Sequence, residues 1–257
     1  MRGCGGPTWA RPNPGKAAGG GLAIEHRASP NDHPEGPRVL RVDPAAPNPA
    51  AVAAAVGALR GGGLVGFPTD TLYALGADPF RPGALERVFA AKGREATKAV
   101  SLLLANAAMV GPLAAPLPRA ARDLMERFWP GPLTIIVRAI KGLPQGLASG
   151  GGIGLRVPRD AVARSLLVAF GGPLVGTSAN RAGGPDPRDA GTVLREVGHS
   201  LALLLDGGPT PLGAPSSVVD CTADPPRLLR AGALPLAALQ AVVPALHGGT
   251  QPPEARK

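Results

Sequence analysis

The sequence predicts a single α/β domain, because short apolar segments typical of buried strands alternate along the chain with helical segments. The chain has 257 residues, and its 44% apolar content is enough for a substantial core. We place the domain at residues 38–247. The flanking segments 1–37 and 248–257 are rich in Gly and Pro and lack periodicity, so we expect low-complexity or disordered tails there.

The predicted elements follow from local signals along the chain. Asn48 and Pro49 suit the start of a helix that ends near Gly61. The predicted helices are 49–59, 82–91, 119–129, 158–170, 188–197 and 235–243. The predicted strands are 38–42, 64–67, 100–104, 133–137, 153–157, 174–177, 201–205, 216–220 and 227–230, the last two forming a hairpin.

One stretch, residues 61–94, combines a buried strand, a polar loop and a helix with a basic end. Pro68 ends the strand because it has no N–H for a central ladder, and Thr69–Thr71 follow it. Ligands of open α/β sheets bind at such strand ends. With Lys92 and Arg94 at the end of the helix, the unit suits a small phosphate-bearing ligand. The alternative is a solvated turn and an ordinary basic helix terminus.

Composition excludes several classes of function. The four histidines are scattered, which argues against zinc and His-based acid–base chemistry, and there is no P-loop or dinucleotide-binding fingerprint. Sparse cysteine, Cys4 and Cys221, indicates a reducing, cytoplasmic setting. No apolar run approaches the roughly 18 residues of a membrane span. The net charge of +9 fits either a nucleic-acid surface or a genome-wide bias toward Arg.

Six motifs occur in a characteristic order. They are FPTDTLY at Phe67–Tyr73, KGR at Lys92–Arg94, WPGPLT at Trp129–Thr134, TSAN at Thr177–Asn180, DGG at Asp206–Gly208, and SSVVD at Ser216–Asp220 followed by Leu229-Arg230. Over roughly residues 50–236 this order resembles the YrdC-like family, the threonylcarbamoyl-AMP synthases, in their short single-domain form. The resemblance implies a twisted, mixed sheet with flanking helices and a deep electropositive groove.

The resemblance also implies an activity. Members of this family are nucleotidyltransferases that convert L-threonine, bicarbonate or CO2, and ATP into threonylcarbamoyl-AMP and pyrophosphate. Other proteins then transfer the threonylcarbamoyl group, giving N6-threonylcarbamoyladenosine at position 37 of tRNA. Mg2+ is expected with the nucleotide, without a tightly bound metal held by the protein. tRNA or double-stranded RNA is a further candidate partner.

The resemblance assigns roles to residues that match the family's motifs. The catalytic tetrad is Lys92, Arg94, Ser178 and Asn180. The ATP-binding positions are Lys92, Arg94, Thr134, Asn180 and Arg230. The threonine-binding positions are Thr69, Arg138, Ser178 and Ser216. An arginine such as Arg138 can pair with an α-carboxylate through two parallel hydrogen bonds.

Two departures from the family pattern leave alternatives open. Glu95 follows Arg94 where the family usually has Pro, and Ala74 replaces a common Gly, as in the related YciO-like paralogues. These departures suggest a YciO-like paralogue with different chemistry as one alternative to the synthase. The basic net charge favours a second alternative, an RNA-binding module without synthase activity. The 3% aromatic content argues against an RNA-binding module that stacks on single-stranded bases.

Overall fold

The computed structural model describes residues 36–93 and 100–248. Apart from residues 36, 37 and 248, the two predicted tails lie outside this part of the chain. Arg94 and the following residues 95–99 also lie outside it. Within the described part, the predicted α/β class is confirmed, with six α-helices and thirteen strands.

The helices lie close to their predicted positions, and local capping explains several of their ends. The Asn48 side chain accepts a hydrogen bond from Ala50 N, and Gly62 ends the first helix in the left-handed conformation at φ 91°. The last helix is shorter than predicted. The helices are α1 (Pro49–Gly61), α2 (Ala84–Lys92), α3 (Arg119–Phe128), α4 (Ala161–Phe170), α5 (Ala190–Val197) and α6 (Leu236–Gln240).

The strands include every predicted one, and some short strands that the sequence did not indicate. They are β1 (Arg38–Arg41), β2 (Leu64–Phe67), β3 (Ala74–Gly76), β4 (Leu102–Leu103), β5 (Leu133–Arg138), β6 (Ala148–Ser149), β7 (Gly152–Arg156), β8 (Leu174–Val175), β9 (Thr177–Ser178), β10 (Leu201–Asp206), β11 (Ser217–Asp220), β12 (Arg227–Arg230) and β13 (His247–Gly248). The predicted hairpin is confirmed as the antiparallel pair β11–β12.

The strands form mixed sheets, as the resemblance implied, and these are two in number. The first sheet has the order β1-β10-β2-β3-β9. The second has the order β13-β12-β11-β5-β7-β4-β8, with β6 paired to β7. The first sheet and helices α1 and α4 enclose an apolar cluster around Val65, Leu166 and Leu203. A larger cluster around Leu133, Leu155 and Val175 fills the rest of the core. None of the described helices is long and apolar enough to cross a membrane.

Gly176 marks the point where the chain passes from the second sheet to the first. The sequence predicted one strand over 174–177, but β8 pairs with β4 and β9 pairs with β3. Space at this crossing is limited, since a Cβ on Gly176 would clash with the side chain of Leu103. Position 176 therefore requires a residue without a side chain. Because the chain crosses here, Ser178 lies in the first sheet.

We expect Gly176→Ala to lower the free energy of unfolding by about 1–3 kcal/mol, because the added methyl group overpacks the core at Leu103. The matched control is Gly57→Ala in α1, where nothing lies within 4 Å of the added Cβ. That change should raise stability by about 0.5–1 kcal/mol, since Ala loses less backbone entropy in a helix. Urea denaturation measures both. Equal effects of the two substitutions on the free energy of unfolding would contradict the inference that position 176 has no room for a side chain.

Candidate active site

A groove of about 550 Å3 is lined by residues from both sheets. Ala74 and Ser178 contribute from the first sheet, and Thr134, Arg156 and Arg230 from the second. The loops that follow β2 and β9 also line it. The groove thus lies where the two sheets meet.

The first cluster in the groove is built around Lys92, the last residue of α2. Its Nζ donates to Ser178 O and Asn180 O, both at 2.7 Å, and to Asn180 Oδ1 at 3.2 Å. Ser178 Oγ also donates to Asn180 Oδ1 at 2.7 Å. The structure therefore brings together three members of the expected tetrad. The fourth, Arg94, lies outside the described residues.

The second cluster joins Thr134, Ser216 and Arg230. The Thr134 and Ser216 hydroxyl oxygens are 2.9 Å apart, and Arg230 donates through Nε to Ser216 O at 3.0 Å and through Nη2 to Ser216 Oγ at 3.1 Å. Parallel pairing of β5 with β11 and antiparallel pairing of β11 with β12 explain this proximity. Burial lowers the pKa of Arg230, and the charge of Arg156 lowers it further. Both effects disfavour the positive charge of Arg230, so a bound anion would stabilise it.

The third cluster centres on Arg156, a residue for which the sequence gave no functional signal. Its guanidinium donates to Gly131 O at 3.0 Å, Thr71 Oγ1 at 2.8 Å and Asp70 Oδ1 at 2.6 Å. Burial lowers the pKa of Arg156, while Asp70 raises it. A guanidinium has five N–H donors. These bonds use three of them and fix the orientation of the guanidinium, which lines the groove.

Thr69, expected to bind threonine, lies in the same loop as Asp70. Its Oγ1 donates to Leu72 O at 2.7 Å and lies 3.0 Å from Thr71 Oγ1. Both threonine side chains are almost fully buried and line the groove. The loop after β2 therefore presents hydroxyl groups beside the Arg156 guanidinium.

Arg138 does not lie in the groove, contrary to the expectation from the resemblance. It is exposed and lines a separate cavity of about 640 Å3 that also includes Cys221 and Thr222. Arg138 follows Thr134 by four residues along β5, which corresponds to about 13 Å of strand. Thr134 is at the groove end of β5 and Arg138 is at the opposite end. Arg138 is therefore not among the described residues that line the groove with Thr69, Ser178 and Ser216.

The DGG motif supports the groove indirectly. The hydroxyl group of Tyr73 donates to Gly208 O at 2.7 Å and accepts a hydrogen bond from Gly207 N at 3.2 Å. Burial, with the charge of Asp206, raises the pKa of Tyr73. The phenol thus stays neutral and links the end of β10 to the segment that begins β3.

Comparison with known proteins identifies the family. The Sua5, YciO and YrdC family model, described as "Telomere recombination", matches residues 57–232. The chain belongs to this family. The threonylcarbamoyl-AMP synthase of Pyrococcus abyssi is 36% identical over 76% of this chain and 59% of the relative. That of Halorhodospira halophila is 33% identical over 74% of this chain and 95% of the relative. The chain thus spans about three fifths of the longer relative.

Solved structures of family members share the fold. The crystal structure of P. abyssi Sua5 in complex with L-threonine superposes with a TM-score of 0.79 and 33% identity, covering 82% of this chain and 62% of Sua5. The Escherichia coli YciO structure has a TM-score of 0.73 and 26% identity, covering 79% of this chain and 99% of YciO. Both the synthase branch and the YciO branch of the family are therefore structurally similar to this chain.

Breaking the buried Asp70–Arg156 pair should destabilise the protein more than breaking an exposed pair. We expect Asp70→Asn to lower the free energy of unfolding by about 3 kcal/mol, because the Arg156 charge would remain buried without its counter-ion. The side chains of this pair are 7% and 6% exposed.

The matched control is Asp123→Asn, which breaks the Arg119–Asp123 pair on α3, whose side chains are 88% and 41% exposed. It should cost less than about 0.5 kcal/mol. Chemical denaturation of both variants measures the difference. A loss at Asp70 as small as that at Asp123 would show that Arg156 is hydrated in the protein.

Proposed function

We propose that the chain is an L-threonylcarbamoyladenylate synthase, a nucleotidyltransferase that uses L-threonine, bicarbonate or CO2, and ATP. The observation that carries this proposal is one groove that unites the Lys92, Arg230 and Arg156 clusters. Such a site offers separate cationic groups for a triphosphate and for a carboxylate. The synthase names of the relatives support the same activity.

The proposed reaction has two bond-forming steps. The neutral amine of threonine adds to CO2, releasing one proton and forming a carbamate. A carbamate oxygen then attacks the α-phosphorus of ATP, and the bond between this phosphorus and the bridging oxygen of pyrophosphate breaks. The products are threonylcarbamoyl-AMP and pyrophosphate, and no covalent enzyme intermediate is needed.

The residues of the groove suit this chemistry through position and charge. No His or Cys is among the described residues that line the groove, so the described site favours non-covalent catalysis. We assign ATP binding to Lys92, Asn180, Thr134 and Arg230, and to Arg94 by resemblance. Lys92 and Arg230 would reduce the repulsion between the attacking carbamate and the phosphates.

We assign the threonine carboxylate to Arg156 in place of Arg138. Arg156 lines the groove beside Thr69 and Thr71, and three hydrogen bonds fix the orientation of its guanidinium. A guanidinium held by three hydrogen bonds is already oriented before a carboxylate binds to it. The hydroxyl groups of Thr69, Ser178 and Ser216 would then bind the amine and the side-chain hydroxyl of threonine.

The wider biological role is part of the same proposal. Mg2+ would enter with ATP, and the product would pass to threonylcarbamoyl-transfer proteins that modify tRNA in the cytoplasm. The basic residues of the groove leave tRNA or double-stranded RNA as a further candidate ligand.

The activity can be tested by pyrophosphate release from ATP, Mg2+ and bicarbonate in the presence of L-threonine, L-serine or no amino acid. We expect threonine-dependent release. Arg230→Gln should lower kcat/KM by about 100-fold, because one preorganised cation is lost from the phosphate site. A folded protein that releases no pyrophosphate with threonine would contradict the proposal. Retained RNA binding would then favour the RNA-binding module, and its absence the YciO-like paralogue.

The two arginines can be separated by their effects on the KM for threonine. Arg156→Lys keeps the charge but loses the planar fork, so we expect the KM to rise about tenfold or more. Arg138→Lys should leave the KM within about twofold, because Arg138 lies in a different cavity. Steady-state kinetics at saturating ATP measures both values. A larger effect at Arg138 would restore the assignment that the resemblance implied.

A further inference from the structure

Asp186 is the one acidic side chain among the described residues that line the groove. The other charged lining residues in this part of the chain are basic: Lys92, Arg156, Arg181 and Arg230. A carboxylate beside a bound triphosphate is repulsive unless a cation lies between them. The presence of Asp186 therefore requires an explanation.

The backbone around Asp186 is held by several hydrogen bonds. Asn180 Nδ2 donates to Gly184 O at 3.0 Å and to Pro185 O at 3.1 Å, immediately before Asp186. Tyr73 N donates to Pro187 O at 2.8 Å, immediately after it. Asn180, a proposed ATP ligand, thus positions the segment that carries the carboxylate.

Asp186 lines the same groove as Arg230, a proposed ATP-binding residue, and directly follows the carbonyl groups that Asn180 binds. The charge of Asp186 also raises the pKa of Arg230. Its one salt bridge among the described residues is to Arg188, at 3.9 Å, and both side chains are substantially exposed, at 42% and 63%. An exposed pair at this distance is weak and leaves the carboxylate available to a stronger cation.

We propose that Asp186 binds the divalent cation that accompanies ATP, an inference that rests on the proposed function. Mg2+ is usually bound through one or two carboxylates together with substrate phosphates. The described lining of the groove offers one carboxylate, that of Asp186, together with the proposed phosphate-binding residues Lys92 and Arg230. The described residues hold no group of three or more His, Cys, Asp or Glu side chains suited to a metal. The phosphates and water would complete the coordination shell.

The alternative role for Asp186 is to neutralise Arg230 and Arg188. The two roles predict effects of opposite sign. If Asp186 holds the metal, Asp186→Asn weakens binding of the nucleotide with Mg2+ and leaves binding without Mg2+ unchanged or stronger. If Asp186 only neutralises arginines, its removal strengthens nucleotide binding under both conditions, because a repulsive charge is lost.

The test is isothermal titration calorimetry with α,β-methylene-ATP, in Mg2+ and in EDTA. For the unmodified protein we expect Mg2+ to tighten binding about tenfold, equivalent to ~1.4 kcal/mol. In Asp186→Asn this gain should fall below about twofold. The control is Asp224→Asn, which removes an exposed carboxylate from the separate cavity lined by Arg138 and should keep the full gain.

Three results would overturn the proposal. In one, Asp186→Asn retains the full gain from Mg2+. In another, the variant binds the nucleotide more tightly in both Mg2+ and EDTA. In the third, the variant loses affinity for L-threonine while keeping the gain from Mg2+, which would assign the carboxylate to the substrate ammonium. Absence of nucleotide binding by the unmodified protein under both conditions would instead reject the proposed function, and this inference with it.

Discussion

The buried ion pair between Asp70 and Arg156 joins the two sheets at the groove. Asp70 follows β2 of the first sheet, and Arg156 ends β7 of the second. Both side chains are almost fully removed from water, so each charge depends on the other for compensation. A relative displacement of the sheets would separate the charges in a medium of low dielectric constant. The pair thus restricts the position of the sheets more than it adds to net stability.

Lys92 has a comparable role on the other side of the groove. Its ammonium group is bound by backbone and side-chain oxygens of Ser178 and Asn180, the residues that follow the crossing at Gly176. Because the lysine is nearly buried, these oxygens replace much of its hydration. Lys92 therefore orients the Ser178–Asn180 segment and adds positive charge to the same place. Its substitution would alter both geometry and electrostatics.

Local signals in the sequence predicted most helices and strands. Asn48 and Gly62 bound α1 through capping interactions that involve neighbouring residues alone. Strand β3 was missed because its three residues, Ala74–Gly76, carry no alternating pattern. They become a strand through pairing with β2 and β9. The separation of 174–177 into two strands also depends on distant partners, which one segment cannot reveal.

The same limit applies to the site. The resemblance supplied Lys92, Ser178, Asn180, Thr134, Ser216 and Arg230, all of which line the groove. It also supplied Arg138, which lines a different cavity, whereas Arg156 lines the groove, and both arginines end a strand. The antiparallel register pairs Ile135 with Leu155 and Arg138 with Gly152. Thr134 and Arg156 lie one residue beyond the Ile135–Leu155 pair, on the side of the groove. The register therefore places Arg156 next to Thr134 at the groove. Strand pairing, not local sequence, thus separates the two arginines.

Ala74, the departure that suggested a YciO-like paralogue, can also be interpreted from the structure. It lies in β3 opposite Ser178, is 5% exposed, and lines the groove. A regular strand position accepts Ala without strain, so the methyl group changes the space in the groove and not the backbone. The cationic clusters around Lys92, Arg156 and Arg230 remain compatible with it. Residue 74 by itself therefore does not exclude the synthase.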